Sequence, residues 1–177
     1  MATHTTQQKT FDALKTISRY TNVMQAPKVT KLIVSTGVGS IKDKKRLEFI
    51  VGRLSRITGQ KAASRPTTKS IANFKTRVGD MAGYQTTLRG KRAELFLQKL
   101  IHVVFPRVKD FRGINPKSID EMGNITIGFK EHTVFPETSD EDAKDVFGLA
   151  VTITTSAKSA TESEAFFRHL GLPLKEN

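Results

Sequence analysis

Residues 29–59 read VTKLIVSTGVGSIKDKKRLEFIVGRLSRITG and change from a period of two to a helical period across one short turn. Residues 29–36 are rich in β-branched side chains, and Leu32, Val34 and Thr36 fall on one face of an extended chain, which predicts a strand. From Asp43 to Thr58 the apolar positions recur every three or four residues, which predicts an amphipathic helix. Gly59 follows where a helix commonly ends in a left-handed glycine. The stretch therefore predicts a strand–turn–helix unit.

The remaining chain continues this mixture of strands and helices. Strand patterns occupy residues 84–89, 124–130 and 149–155, residues 60–64 could form a further short strand, and helix patterns occupy residues 8–20, 91–104 and 159–170. A capping box, Ser159 with Glu162, opens the last helix. This order predicts an α+β fold with one domain over residues 1–177: one mainly antiparallel β-sheet with helices packed on one face. The other face of the sheet would be free to bind a partner.

A segment at about residues 65–83 fits neither pattern. Its apolar residues have no regular period, and five basic residues but no acidic one lie from Lys61 to Gly79. A loop this long in a compact domain is usually functional or disordered. We therefore expect an extended basic loop between two central strands.

The charge of the chain is strongly positive and unevenly distributed. Its 177 residues include 29 Lys and Arg against 17 Asp and Glu, a net charge of +12. Residues 42–112 carry 18 basic and 5 acidic side chains, whereas residues 113–177 carry 6 basic and 11 acidic ones. A concentrated positive field attracts polyanions by releasing their counterions. This uneven distribution of basic residues favours a single nucleic-acid-binding face, and it is less typical of a basic surface that contacts only solvent.

Composition excludes several other classes of protein. The chain has no cysteine, which rules out disulfides, thiolate metal sites and a cysteine nucleophile. No apolar run approaches the roughly 20 residues needed to span a bilayer, and the polar first ten residues lack a signal-peptide core. We therefore expect a soluble, cytoplasmic protein with no membrane contact. None of the four histidines stands at a metal-ligand spacing from another, so we expect no metal or other cofactor.

The sequence offers one weak candidate for a catalytic residue, and we expect that the protein is not an enzyme. His132 beside Glu131 could act as a base in an RNA-modifying enzyme, although an ordinary surface pair is the simpler interpretation. A second alternative, a basic nucleic-acid protein of broad specificity such as an RNA chaperone, would explain the charge alone. The strand–helix turn at residues 37–40 lacks a full nucleotide-binding pattern.

Candidate binding residues are short uncharged donors beside basic residues. Ser35, Gln60 and Thr87 each lie on a predicted strand and suit hydrogen bonds to RNA 2′-hydroxyls, although such residues are often only solvated strand positions. Aromatic residues make up only 7% of the chain, so structured RNA is a better expected partner than splayed single strands.

Eight short runs of residues are distinctive as an ordered set. They are residues 22–27 (NVMQAP), 37–39 (GVG), 58–61 (TGQK), 69–75 (KSIANFK), 87–90 (TLRG), 105–113 (FPRVKDFRG), 134–137 (VFPE) and 152–158 (TITTSAK). In order and spacing, over nearly the whole chain, they resemble the bacterial form of the universal large-subunit ribosomal protein five family, whose members bind 5S rRNA. The resemblance implies a curved antiparallel β-sheet backed by helices.

The resemblance implies a structural role in the large ribosomal subunit. It implies that the chain anchors 5S rRNA in the central protuberance near 23S rRNA and neighbouring 5S-binding proteins, and that it forms a bridge to a protein of the small-subunit head. The implied uncharged 5S-rRNA-binding residues are Ser35, Gln60 and Thr87, and we expect the basic residues Lys61, Arg89 and Arg92 to bind the same RNA. The implied contact with P-site tRNA is made by the basic loop, at Ser70, Asn73, Phe74, Lys75 and Arg77.

The chain departs from the family pattern at a few positions. Ser35 stands where the family usually has Asn, which shortens the reach of that contact. Phe147 and Ala150 stand where the family has Arg and Asp, which puts a polar contact at that edge in doubt. Asn73 replaces the usual loop glycine and still tolerates a left-handed backbone.

Overall fold

The computed structural model describes residues 2–18, 20–41, 43–139 and 146–175. The strands are β1 (Val29–Gly37), β2 (Ala63–Pro66), β3 (Met81–Leu88), β4 (Ile125–Phe129) and β5 (Leu149–Thr155). The helices are α1 (Ala2–Ser18), α2 (Lys44–Thr58), α3 (Lys91–Lys99), α4 (Phe105–Arg107) and α5 (Ala160–His169). The strands form one antiparallel sheet in the order β2-β3-β1-β5-β4, which confirms the predicted α+β class.

Local chemistry accounts for both ends of α2. The side chain of Asp43 accepts a hydrogen bond from the Lys45 N–H at 3.0 Å and so caps the first turn. Gly59 ends the helix in the left-handed region with φ 66°, and its N–H donates to the Ser55 carbonyl at 2.8 Å. The predicted helix therefore has the bounds that its sequence indicated, to within one residue.

Three boundaries differ from the sequence-based expectation. α1 begins at Ala2 rather than near residue 8. The helix that begins at Lys91 does not stop before Pro106, because a π-helical turn at Leu100–Val104 continues it into α4, which contains the proline. The loop after β2 joins an edge strand to its neighbour and not two central strands, and Pro66 is tolerated because β2 is that edge.

The chain divides into two compact units. The first unit comprises Met1–Leu32, Arg89–Ile127 and Thr152–Asn177, and the second comprises Ile33–Leu88 and Gly128–Val151. The single domain expected from the sequence stays a prediction.

The first unit is built around its helices. α1 packs against α5, whose Phe166 and Phe167 are 2% and 0% exposed. The side chain of Ser159 accepts a hydrogen bond from the Glu162 N–H at 3.3 Å, as the capping box predicted. The hydroxyl of Tyr20 donates to the Glu162 side chain, so the first turn of α5 is fixed from two directions.

The second unit is built around α2. This helix buries Ile50, Leu54 and Ile57 and packs against β3 and against a short 3-10 turn at Pro136–Thr138. The side of β3 that faces α2 is therefore the inner side of the sheet in this unit. Gly83 of β3 lies so close to β1 that a Cβ on it would be 2.6 Å from the Thr36 carbonyl oxygen.

Candidate RNA interface

Two neighbouring strands of the second unit present polar side chains away from α2. On β1, Val34 and Thr36 are buried and Ser35 between them is half-buried, so Ser35 faces the other side of the sheet. On β3, Leu88 is buried and Thr87 is half-buried on the same open side as Ser35. The alternation of each strand thus places two of the predicted residues on one face.

The third predicted residue is held beside β3 by a tertiary contact. Gln60 directly follows the glycine that ends α2, and its Nε2 donates to the carbonyl of Thr87 at 3.4 Å. The Thr58 hydroxyl donates to the Gln60 carbonyl at 3.0 Å and fixes the backbone there. Gln60 and Thr87, 27 residues apart in the sequence, are therefore brought together, with Gln60 half-buried.

The open face includes two further polar residues that sequence reasoning missed. Gln85 lies two residues before Thr87 and so on the same side of β3. The Nε of Arg65, on β2, donates to the Gln85 Oε1 at 2.9 Å, which orients an exposed guanidinium beside the uncharged donors. The period of two would have indicated Gln85, but the position of Arg65 depends on the pairing of β2 with β3.

The remaining predicted RNA-binding residues are basic and exposed, but they do not all lie in the same unit. Lys61 is exposed in the second unit, immediately after Gln60. Arg89 and Arg92 are exposed in the first unit, around the start of α3. Exposed lysine and arginine side chains neutralise RNA phosphates without recognising the nucleotide sequence.

The segment between β2 and β3, residues 67–80, is shorter and more regular than the predicted loop at 65–83. We call it the β2–β3 loop. The Thr67 N–H donates to the Asp80 carbonyl at 2.8 Å, and the Gly79 N–H donates to the Thr67 carbonyl at 3.0 Å, so backbone pairing continues past the strands. Ile71 and Thr76 form a second bridge that closes the tip.

The tip of the β2–β3 loop presents every predicted contact residue to solvent. A 3-10 turn at Ala72–Phe74 ends at Lys75, which has φ 51°, so the left-handed residue is Lys75 and not Asn73. Phe74 is 74% exposed. An open cavity of about 720 Å³ lies beside the turn. Its lining residues are Ser70, Ala72, Lys75, Thr76, Arg77 and Val78.

His132 is part of the core rather than of a surface pair, because its side chain is 0% exposed. Its ring stacks on Phe147 with centroids 4.2 Å apart, and the Phe147 N–H donates to Nδ1 at 3.4 Å. Burial, and then the charge of Arg53, lower the pKa of His132. Phe147, which stands where the family has arginine, is thus accommodated by stacking, and the candidate base has no access to a substrate.

We expect the stability of the protein to depend on the protonation of His132. Its pKa is lowered in the folded state, so between the unfolded value of 6.5 and the lower folded value the unfolded chain binds more protons. The free energy of unfolding should therefore be highest above that window and fall as the pH is lowered through it. Urea unfolding at pH values from about 8 to about 5 measures this. His132→Phe should flatten the dependence, whereas His102→Gln, at an exposed position, should leave it as steep as in the wild type.

Metal-binding groups and candidate membrane-spanning helices are both absent from the described residues. In residues 2–18, 20–41, 43–139 and 146–175, no group of three or more His, Asp or Glu side chains is placed to hold a metal ion. No helix in that part of the chain is long and apolar enough to cross a membrane.

Fold and charge together define a basic α+β protein with a polar, open sheet face, and comparison with known proteins gives its family. Residues 22–77 match the family model described as ribosomal protein L5, and residues 81–174 match the model of the C-terminus of the same ribosomal family. The large ribosomal subunit protein uL5 of Ureaplasma urealyticum is 42% identical over 158 residues, 89% of this chain and 86% of that protein. The uL5 of Flavobacterium johnsoniae is 41% identical over 172 residues, 97% of this chain and 94% of that protein.

The chain belongs to the ribosomal protein L5 family, as its sequence motifs indicated. It is a structural constituent of the large ribosomal subunit and not an enzyme, and its predicted location on the cytoplasmic ribosome agrees with this membership.

Proposed function

We propose that this chain binds 5S rRNA through the open face of its second unit and anchors it in the large subunit. The observation that supports the proposal is the pair of half-buried, uncharged donors Ser35 and Thr87 on one sheet face, with the half-buried Gln60 bonded to the backbone carbonyl of Thr87. Uncharged donors held in place suit the 2′-hydroxyls and sugar edges of a folded RNA, which is recognised by shape. Lys61 of the same unit supplies a phosphate contact that adds affinity without specificity, and Arg89 and Arg92 of the first unit remain predicted phosphate contacts.

The first test replaces the uncharged donors. Thr87→Leu and Gln60→Leu should each weaken binding of 5S rRNA by about 1–3 kcal/mol, roughly 5- to 150-fold, because RNA hydroxyls buried at the interface lose their partners. Filter binding of the purified protein to 5S rRNA across a salt series measures the effect. Thr133→Leu, at a half-buried threonine outside the strands of the same unit, is the matched control and should bind as the wild type does.

Competition with tRNA and with an unrelated RNA duplex distinguishes shape recognition from charge. Binding to 5S rRNA that persists at elevated salt against both competitors supports the proposal. Equal loss on all three RNAs as salt rises would leave only a basic nucleic-acid protein of broad specificity. Wild-type affinity in both Leu variants would mean that the assigned face is wrong.

We further propose that the β2–β3 loop contacts the P-site tRNA. The loop presents Phe74, Lys75 and Arg77 to solvent on a turn fixed by its own hydrogen bonds. The Val78 N–H donates to the Ser70 hydroxyl at 3.0 Å, and the Arg77 N–H donates to the Asp80 carboxylate at 2.7 Å. A tip organised before binding loses little conformational entropy when it meets a partner.

Replacing the two basic residues at the tip of the β2–β3 loop should affect the contact with P-site tRNA and leave the contact with 5S rRNA intact. Lys75→Gln with Arg77→Gln should leave the affinity for 5S rRNA within about twofold. The same double variant should lower P-site tRNA occupancy roughly tenfold, because each of the two basic side chains at the tip neutralises a tRNA phosphate. Toeprinting of reconstituted ribosomes measures the occupancy, and filter binding measures the 5S affinity. A large loss of 5S binding in this double variant would contradict the division of labour.

The wider assembly follows from the same resemblance. We propose that the bound 5S rRNA is held near 23S rRNA, beside other 5S-binding proteins, and that the chain also bridges to a protein of the small-subunit head. The strong positive charge of residues 42–112 supports the RNA contacts among these.

A further inference from the structure

α2 carries a positive surface that the proposed 5S interface does not use. Within its 15 residues, KKRLEFIVGRLSRIT, five are basic and one is acidic. Ile50, Leu54 and Ile57 cover the side that packs inward. The side turned away from the sheet presents the exposed Lys44, Lys45, Glu48, Gly52 and Arg56 and the half-buried Phe49. We call this side the outer face of α2.

Gly52 lies at the centre of the outer face, in the interior of the helix. It is exposed, and a Cβ added to it would meet no atom within 4 Å in the part of the chain that the structure describes. Its backbone does not have a positive φ. Glycine is one of the poorest residues for a helix interior, because it loses the most backbone freedom on folding. Packing within the described residues therefore does not require glycine here, and alanine would stabilise the helix.

A glycine also serves where the backbone of a ligand must approach a helix closely. Lys45, Gly52 and Arg56 lie seven and four residues apart and so on one side of the helix. The guanidinium of Arg53 lies over the ring of Phe49, with 4.7 Å from its carbon to the ring centroid, at the border of the same face. A flat site without a side chain is therefore flanked by a lysine and an arginine.

We propose that the outer face of α2 is a second RNA-docking surface, where the sugar–phosphate backbone of an RNA duplex crosses Gly52 and is held by Lys45 and Arg56. Charge complementarity identifies the occupant, since this chain belongs to the large ribosomal subunit and RNA is the polyanion of that particle. α2 packs on the inner side of β3, whereas Thr87 faces the open side. The outer face is thus on the opposite side of the second unit from the proposed 5S interface, and both can be occupied together.

The decisive variant is Gly52→Leu in the full-length protein. Leucine is a better helix former than glycine, and a Cβ at this position meets no atom within 4 Å among the described residues, so the midpoint of thermal unfolding should rise. The same side chain blocks close approach of RNA, so the affinity for a 23S rRNA transcript, measured by filter binding, should fall roughly tenfold. A purely structural glycine would not give a gain of stability together with a loss of binding.

The charged residues have a separate test. Lys45→Gln with Arg56→Gln should reduce the slope of log affinity against log salt for the 23S transcript by about 2, one for each phosphate contact. Lys117→Gln with Lys175→Gln, at exposed lysines of the first unit, is the control and should leave the slope unchanged. A failure of the wild type to bind 5S rRNA would overturn the proposed function, while the comparison of α2 variants on 23S rRNA would still stand.

Three results would overturn this inference. Wild-type affinity of Gly52→Leu for 23S rRNA would show that no backbone approaches the glycine. A lower midpoint of unfolding in that variant would show that the fold itself needs the glycine. Loss of binding to polyglutamate in Lys45→Gln with Arg56→Gln, without loss on 23S rRNA, would identify an acidic protein as the occupant.

Discussion

Gly83→Ala should lower the free energy of unfolding by an amount near the upper end of about 1–3 kcal/mol, the usual cost of forcing an extra carbon into a packed site. A Cβ on Gly83 would stand 2.6 Å from the Thr36 carbonyl oxygen and 3.7 Å from the Gly37 Cα. Both neighbours are backbone atoms of β1, so they cannot rotate away as the end of a side chain can. β3 and β1 would have to separate to admit one methyl group.

Urea unfolding of Gly83→Ala beside Gly37→Ala measures this effect. Gly37 is also a strand glycine, but a Cβ on it would meet nothing within 4 Å among the described residues, so its alanine variant should stay within about 0.5 kcal/mol of the wild type. Equal stability of the two variants would mean that β1 and β3 are not as close at Gly83 as the structure has them.

Phe167→Ala should cost about 3–5 kcal/mol, because it removes a large buried ring and leaves a cavity. Phe167 is 0% exposed on α5 of the first unit, and its ring centroid lies 6.0 Å from that of Phe166. The expected result is a clear decrease in both the thermal midpoint and the free energy of unfolding.

Phe74→Ala is the matched control for this large effect. Phe74 is 74% exposed at the tip of the β2–β3 loop, so the same chemical deletion should change the free energy of unfolding by no more than about 0.5 kcal/mol. A loss of stability as large as that of Phe167→Ala would show that Phe74 packs against the protein in solution.

The elements that could be predicted are those whose signals are local. The alternation in residues 29–36, the cap at Asp43 and the glycine at the end of α2 all act within a few residues of where they stand. The strand pattern of β4 and the capping box of α5 are of the same kind. The family motifs supplied the candidate RNA-binding residues, which the periodicity alone left as ordinary strand positions.

Other features were decided only by contacts between residues distant in the sequence. The hydrogen bond from Gln60 to Thr87 spans 27 residues, and the order of strands that makes β2 an edge is a property of the whole sheet. His132 looked like a surface residue because its neighbours Glu131 and Thr133 are polar. The ring of Phe147, 15 residues away, covers it.

The sequence by itself determined the α+β class, the positions of most helices and strands, and the concentration of positive charge in the middle of the chain, because hydrophobic period, capping and charge are properties of short stretches. Tertiary structure decided which polar residues share a face, which glycine has no room for a methyl group and which histidine is buried. The reason is physical. Burial and hydrogen bonding depend on which segments distant in the sequence are in contact, and a local sequence pattern does not predict those contacts.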